Sequence, residues 1–250
     1  MSDTKEIISL YQSGSALMND AIDRIVIKFY SYKERHLKNT ILLTGCSPSN
    51  GTTTIAINLA IALAGAGWNT LLVDADIRKG MEYKRLSGAA AGLADYLEGY
   101  SDIGGLIYPT NQTKLHYVMC GSPLSSAVRL LCSERMQSFV REARETYDFV
   151  VFDCPSLTVV PDATVLFPSV DCIALVLSLG GTTKKELAHA KREVEKYPDK
   201  YAGLIVNRVD KKQYIRIFPQ FDYFIEKNMV KSYRRLLKKR NVKAGEQPDE

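Results

Sequence analysis

The sequence predicts an α/β fold built on a doubly wound, mostly parallel sheet. Short apolar runs alternate with helical segments along the chain, an order typical of a parallel sheet covered on both faces. The first apolar run leads into a glycine-containing loop and then a helix. Two later runs end in aspartate, and the carboxyl ends of the strands are where such sheets bind ligands.

Each element has its own sequence signal. Apolar residues at helical spacing predict a helix over 17–32, and a short β-like run predicts a strand over 40–43. A run of alanine, isoleucine and leucine without proline predicts a helix over 53–66, with glycine as the stop signal. The remaining predictions are strands at 70–73, 115–119, 149–152, 172–177 and 202–206, and helices at 93–97, 133–146 and 184–196.

The composition limits the classes of protein to consider. The chain has 250 residues, of which 46% are hydrophobic and 24% charged, as in a globular domain with a sizeable core. No apolar run reaches the roughly 20 residues that a membrane helix needs, and residues 1–10 lack the pattern of a signal peptide. The five cysteines are widely spaced without a C-x-x-C pair, which disfavours a disulfide scaffold or a zinc site. We therefore expect a soluble, cytoplasmic protein.

Positive charge is concentrated near the C-terminal end. Residues 226–250 hold eight basic and four acidic side chains, so they contribute +4 of the net charge of +5. The nearly neutral remainder argues against a nucleic-acid partner, which would need a basic docking face. We divide the chain into a helical N-terminal lead (1–36), an α/β domain (37–225) and a basic amphipathic helical tail (226–250) with a frayed end.

Apolar residues in and before this tail recur at helical spacing, which leaves two interpretations open. The apolar stripe packs on the domain while the lysines face solvent, or the helix lies on an anionic membrane surface. The positions of the stripe are Phe221, Phe224, Ile225, Met229, Tyr233, Leu236 and Leu237.

The loop from Gly45 to Gly51 lies where a phosphate-binding loop would lie, between a strand and a helix. Such a loop needs amides that converge at a helix N-terminus, where the dipole favours an anion. Gly51 permits close backbone approach, and the Thr53 hydroxyl is suited to magnesium. In the pattern G-x-x-x-x-G-K-[ST], however, Cys46 takes the first glycine position and Thr52 the lysine position. A plain strand–turn–helix junction is the alternative.

Two buried strands end in carboxylates. Asp74 and Asp76 follow the strand at 70–73, and Asp153 follows the strand at 149–152. A crevice that holds these carboxylates and a phosphate together requires a cation between them, so the pattern predicts magnesium. The simpler alternative is that each aspartate caps the turn after its strand.

These motifs resemble those of the bacterial tyrosine kinases (BY-kinases) of capsule and exopolysaccharide systems, relatives of the division-site and partitioning P-loop ATPases. Residues 71–79, Leu-Leu-Val-Asp-Ala-Asp-Ile-Arg-Lys, are similar to that family's second Walker motif, and residues 149–155 to its Walker B strand. The resemblance implies a P-loop NTPase fold of the division-site type, with ATP and Mg²⁺ as cofactors. It also implies the cytoplasmic tail of a membrane polysaccharide co-polymerase as partner, and hence a location at the inner face of the membrane.

The resemblance further implies roles for individual residues. Asp74 would be the catalytic base that accepts the tyrosine proton, and Arg78 would support the loop or a neighbouring subunit. Magnesium would be held by Thr53, Asp76 and Asp153. The nucleotide-binding residues would be Ser49, Asn50, Gly51, Thr52, Thr53, Thr54 and Asn207, with Asn207 against the adenine.

Several departures from the family pattern bear on activity. Thr52 replaces the lysine that neutralises the β- and γ-phosphates, and Ser47 stands where the division-site relatives carry an extra lysine. Arg78, Lys79 or a residue of a partner subunit remain the candidates for the missing cation. Residues 226–250 contain one tyrosine instead of a tyrosine cluster.

A further departure concerns assembly and shapes the functional expectation. Residues 20–26, Asp-Ala-Ile-Asp-Arg-Ile-Val, lack both arginines of the family's E-x-x-R-x-x-R assembly motif, which disfavours a family-like ring and leaves self-association open.

We expect a BY-kinase-like ATP-binding protein with impaired phosphoryl transfer. The alternatives are a non-catalytic nucleotide sensor or structural partner of the same complex, and a membrane-surface ATPase of the division-site type, which Ser47 disfavours.

Overall fold

The computed structural model describes residues 6–12, 16–36, 38–79, 91–122 and 126–218. The chain divides into two compact units, Met1–Asn207 and Arg208–Glu250. The basic tail predicted over 226–250, together with its apolar stripe, lies outside the described residues.

The described part of the first unit is organised around a seven-stranded sheet with the order β3-β4-β2-β5-β1-β6-β7. All neighbouring strands pair in parallel except β3, which runs antiparallel to β4 at one edge. The fold is therefore mostly parallel, as predicted. The strands are β1 (Thr40–Gly45), β2 (Thr70–Asp74), β3 (Ile107–Pro109), β4 (Leu115–Val118), β5 (Phe149–Cys154), β6 (Cys172–Ser178) and β7 (Tyr201–Asn207).

Helices cover both faces of this sheet, as the doubly wound prediction requires. Alternate residues of β1 enter opposite cores: Ile41 and Leu43 pack in one, and Leu42 packs in the other. The first core also contains residues of α1 (Ala16–His36) and α2 (Thr52–Gly65). The second contains residues of α3 (Leu93–Glu98), α4 (Ile103–Leu106), α5 (Ala127–Leu131), α6 (Glu134–Thr146), α7 (Asp162–Leu166) and α8 (Lys184–Val194).

The N-terminal segments belong to the body of the first unit. Ile22 and Phe29 of α1 are buried in the same core as α2, so this helix is part of the packed domain. Upstream, the amide of Ile8 donates a 2.9 Å hydrogen bond to the carbonyl of Pro109, which extends the edge of the sheet beside β3.

Three helices of four or five residues and the three-residue edge strand were not predicted from the sequence. Helices α4, α5 and α7, and the edge strand β3, have only three to five residues each. Such lengths offer too few positions to reveal a helical or strand periodicity. The helix α9 (Lys211–Ile217) in the second unit was not predicted either; it begins with a capping box between Asp210 and Gln213. Among the described residues no helix is both long and apolar enough to cross a membrane.

Candidate functional site

The candidate site lies at the carboxyl ends of three adjacent strands. In the sheet order, β5 lies between β2 and β1, and Asp74 at the end of β2 is in register with Asp153 on β5. The loop that follows β1 leads directly into α2. The topology therefore brings both carboxylate strands and the glycine loop to one edge of the sheet, as predicted.

The loop has the backbone geometry of an anion site at a helix N-terminus. Gly51 is the N-cap of α2 and adopts a left-handed φ of 81°, and Ser49 is left-handed as well, at 58°. Left-handed residues of this kind form part of the concave amide arrays that bind anions. The N-terminus of a 14-residue helix adds a favourable dipole for a negative charge.

Asn50 holds the loop in this conformation from inside. Its buried side chain donates a 3.0 Å hydrogen bond to the carbonyl of Val176 on β6. Its Oδ1 atom accepts hydrogen bonds from the hydroxyls of Ser47, at 3.3 Å, and Thr182, at 3.1 Å. Ser47, which the resemblance places opposite an extra lysine, is thus a structural part of the loop in this chain.

Asn207 also contacts the loop. Its Nδ2 atom donates a 2.9 Å hydrogen bond to the carbonyl of Asn50, and a Cβ atom added to Gly51 would lie 2.4 Å from the same Nδ2. The resemblance implied an adenine contact for Asn207. The observed contact gives the side chain a further role in positioning the loop.

The carboxylates are packed closely enough to affect one another. Asp74 and Asp153 are 7% and 6% exposed. Burial and then the charge of Asp74 raise the pKa of Asp153 to about 7, against a hydrogen bond from the Thr53 hydroxyl that lowers it. Burial, followed by the charge of Asp74, also raises the pKa of Asp76. The cluster therefore has an excess of negative charge that favours a cation.

The donor set fits magnesium only in combination with other ligands. Within the described ranges, no group of three or more histidine, cysteine, aspartate or glutamate side chains is arranged to hold a metal by itself. Thr53 and Asp153 nevertheless line the same cavity, and hydrogen bonding to Thr53 lowers the pKa of Asp153. Magnesium is commonly bound by one or two carboxylates together with phosphate oxygens and water, and these side chains suit that mode.

Two cationic side chains follow β2, and their partners differ. Arg78 binds Asp162 through two hydrogen bonds, from Nε to Oδ2 at 2.5 Å and from Nη2 to Oδ1 at 3.0 Å, and the Asp162 side chain is only 2% exposed. Lys79 lies instead 3.4 Å from Asp74, measured from Nζ to Oδ2. Arg78 therefore anchors the start of α7, whereas Lys79 belongs to the carboxylate cluster.

A cavity of about 350 Å³ joins these features. Ser49, Asn50, Thr52 and other predicted loop residues line it, but four of the predicted site residues do not: Thr54, Asp74, Arg78 and Asn207. Asp74 lies next to lining residues and contacts Lys79, while the Thr54 carbonyl accepts a hydrogen bond from Asn58. The full lining is Ser47, Pro48, Ser49, Asn50, Gly51, Thr52, Thr53, Asp76, Lys79, Asp153, Cys154, Pro155, Ser156 and Val159.

Ser156 and Val159 were missed by the sequence reasoning. They follow β5, and the amide of Leu157 donates a 3.0 Å hydrogen bond to the carbonyl of Gly45, which holds this segment against the loop. Their position in the sequence could have indicated them, because the segment that follows a strand ending in a carboxylate lies at the ligand-binding edge of the sheet.

Comparisons with known proteins place this site in a family. A model of the AAA domain matches residues 45–181, more than half of the chain. The tyrosine-protein kinase YwqD of Bacillus subtilis is 32% identical over 185 residues, which cover 74% of this chain and 77% of the relative. The chain belongs to the BY-kinase family of P-loop proteins.

Solved structures agree with this assignment. The kinase domain of the Escherichia coli tyrosine kinase ETK is 26% identical, with a TM-score of 0.71 over 77% of this chain and 76% of that chain. The septum site-determining protein MinD of Pyrococcus horikoshii, solved with Mg-ADP, is 20% identical, with a TM-score of 0.56 over 72% of this chain and 77% of that chain. This second likeness supports the fold alone. The BY-kinase chain therefore has the P-loop architecture of the division-site type, as predicted.

Proposed function

We propose that this chain binds ATP with magnesium in the cavity at the β1, β2 and β5 strand ends and acts as a BY-kinase-like protein with reduced phosphoryl transfer. The observation that carries this proposal is the register pair of Asp74 and Asp153 beside a loop whose N-cap is Gly51. The second Walker motif and the Walker B strand thus end at the same place as the phosphate loop.

The loop and the three carboxylates have separate roles in this proposal. The loop around Ser49, Asn50 and Gly51 would bind the phosphates. Thr53 and Asp153 would hold magnesium, with Asp76 acting directly or through water. When bound, magnesium would neutralise part of the phosphate charge. Asp74 would accept the proton of the incoming tyrosine. Its Oδ1 accepts a 3.1 Å hydrogen bond from the amide of Asp76, and its Oδ2 lies 3.4 Å from Nζ of Lys79.

Reduced transfer follows from Thr52. A threonine hydroxyl is neutral, so the loop lacks the charge that would stabilise the transferring phosphoryl group. Loss of one such electrostatic contact typically costs about 10²- to 10³-fold in kcat. The same observation favours a second candidate, a nucleotide-sensing partner without kinase activity.

Phosphotyrosine detection separates the two candidates. We propose incubating the protein with Mg-ATP, alone and with the cytoplasmic tail of a membrane polysaccharide co-polymerase, the partner class expected for this family at the inner face of the membrane. A weak signal that increases in Thr52→Lys and disappears in Thr52→Lys/Asp74→Asn supports the impaired kinase. No signal in any variant, while ATP still raises the melting temperature, supports the sensor. The control is Asp102→Asn, which changes an exposed aspartate and should leave the phosphotyrosine signal and the melting temperature unchanged.

The basic tail calls for a separate test, since it lies outside the described residues. Under the membrane hypothesis, anionic vesicles should co-sediment the full chain but not a chain that ends at Ile225. Equal pelleting of the two chains would contradict that hypothesis and favour the packing alternative.

A further inference from the structure

The site has an excess of negative charge that its phosphate loop does not neutralise. Residues 46–54 of the loop and the first turn of α2 contain no lysine or arginine. The cavity they line already contains Asp76 and Asp153, with Asp74 beside them. A triphosphate would add several negative charges to this carboxylate cluster, and magnesium neutralises only two. A cationic side chain is therefore needed from another element.

Arg78 is not available for this purpose. Both Nε and Nη2 donate to Asp162, whose side chain is almost completely buried. Withdrawing Arg78 would leave the buried carboxylate of Asp162 without its cation, which would destabilise the protein. The bidentate geometry also fixes the direction of the guanidinium.

Lys79, in contrast, lies in the cavity and is held only loosely by its partner. It is the one lysine or arginine among the described residues that line the cavity. Its side chain is 35% exposed, and its 3.4 Å contact with Asp74 is longer than the 2.7–2.9 Å typical of a tight charged hydrogen bond. An ammonium group has three donors, so a loose contact with one carboxylate leaves donors for a phosphate.

The surrounding charges keep Lys79 in its cationic form. Burial lowers its pKa, but the charges of Asp74, Asp153 and Asp76 outweigh that effect, and the net result is a raised pKa. The position is also anchored, because the amide of Lys79 donates a 3.2 Å hydrogen bond to the carbonyl of Asp76 in the turn that follows β2.

We propose that Lys79 supplies the phosphate-binding cation of this site, so that the charge comes from the second carboxylate strand instead of the loop. This inference rests on the proposed function, because it assumes that the cavity binds a nucleoside triphosphate. Lys79 would contact the phosphates directly, while Thr52 would serve only as the first residue of α2.

Binding measurements test this role without relying on catalysis. The affinities of Mg-ATP and of adenosine, which lacks phosphates, are measured by calorimetry for the wild type, Lys79→Met, Lys79→Arg and Lys79→Met/Thr52→Lys. Lys79→Met should weaken Mg-ATP roughly 10- to 100-fold, the range for a lost hydrogen bond to a charged group, without changing adenosine binding. Lys79→Arg should retain most of the affinity, and the added Thr52→Lys should restore it. Lys191→Met, which removes an exposed lysine of α8, should bind both molecules as the wild type does.

The outcomes distinguish an error in the role given to Lys79 from an error in the proposed function. If the wild type binds Mg-ATP and Lys79→Met binds it equally well, the role of Lys79 is wrong while the proposed function stands. The same conclusion follows if Lys79→Met, with an unchanged circular dichroism spectrum, loses adenosine and Mg-ATP binding in equal proportion. If the wild type binds no Mg-ATP, both the proposed function and the role of Lys79 are wrong.

Discussion

The side-chain amide of Asn207 donates a 2.9 Å hydrogen bond to the main-chain carbonyl of Asn50, which lies 157 positions earlier in the sequence. The last residue of β7 thereby holds the loop that begins after β1, across the intervening strand β6. Because the loop carbonyl is oriented by this bond, the position of the neighbouring amides depends on a residue outside the loop.

Asn207→Ala should therefore weaken Mg-ATP binding and lower stability by about 1 kcal/mol, the usual net contribution of one hydrogen bond. Asn111→Ala is the matched control. It removes an amide that accepts a 2.8 Å hydrogen bond from the Leu10 backbone at the far edge of the sheet. Thermal unfolding should show similar losses in both variants, whereas calorimetry should show a loss of affinity only in Asn207→Ala. Equal affinities in the two would contradict the positioning role.

Gly51→Ala should distort the loop more than its backbone strain alone explains. Alanine at a left-handed φ costs about 1–2 kcal/mol, and here its Cβ would also lie 2.4 Å from Nδ2 of Asn207. Gly67→Ala separates the two effects, because Gly67 is left-handed with a φ of 100° but has open space around its Cβ position. We expect a larger loss of melting temperature in Gly51→Ala, and a partial recovery when Asn207→Ala is added. A recovery of zero would show that the clash is not the cause.

Stability should depend on pH through Asp153. Its carboxyl group has a raised pKa of about 7 in the folded protein. A carboxyl group in the unfolded chain titrates near its normal value of about 4, so between these limits the folded state binds the extra proton and stability falls as pH rises. Melting temperatures from pH 5 to pH 8 should decline in the wild type and decline less in Asp153→Asn. The exposed Asp102→Asn variant should follow the wild type; a parallel decline in all three would contradict the prediction.

The pair of Arg78 and Asp162 should be strongly coupled. Arg78→Met leaves the buried carboxylate of Asp162 without a cation and should destabilise the protein by about 2–4 kcal/mol, somewhat below the range for fully buried pairs because Arg78 is 35% exposed. Adding Asp162→Leu should recover part of this loss, since both charges are then absent. A double-mutant cycle of urea unfolding measures the coupling. Additive losses would show that the two side chains do not interact.

The sequence predicted those parts of the site that lie in short segments with characteristic chemistry. Strands that end in Asp74 and Asp153, and a loop that ends in Gly51 before a helix, were recognisable because strand, turn and cap preferences act over a few residues. The edge strand β3 and the short helices α4, α5 and α7 were not recognisable, because tertiary packing stabilises them and their own periodicity is too short to detect.

The sequence by itself determined the fold class, the order of the main elements and the absence of a lysine from the loop, since these depend on local patterns of apolar, glycine and charged residues. Only the tertiary structure decided which cation remains at the site. Arg78 and Lys79 are adjacent in sequence, yet one binds the buried Asp162 of α7 and the other lines the cavity beside Asp74. The side-chain partners come from elements far away in the chain, and the packing of the whole sheet brings them together.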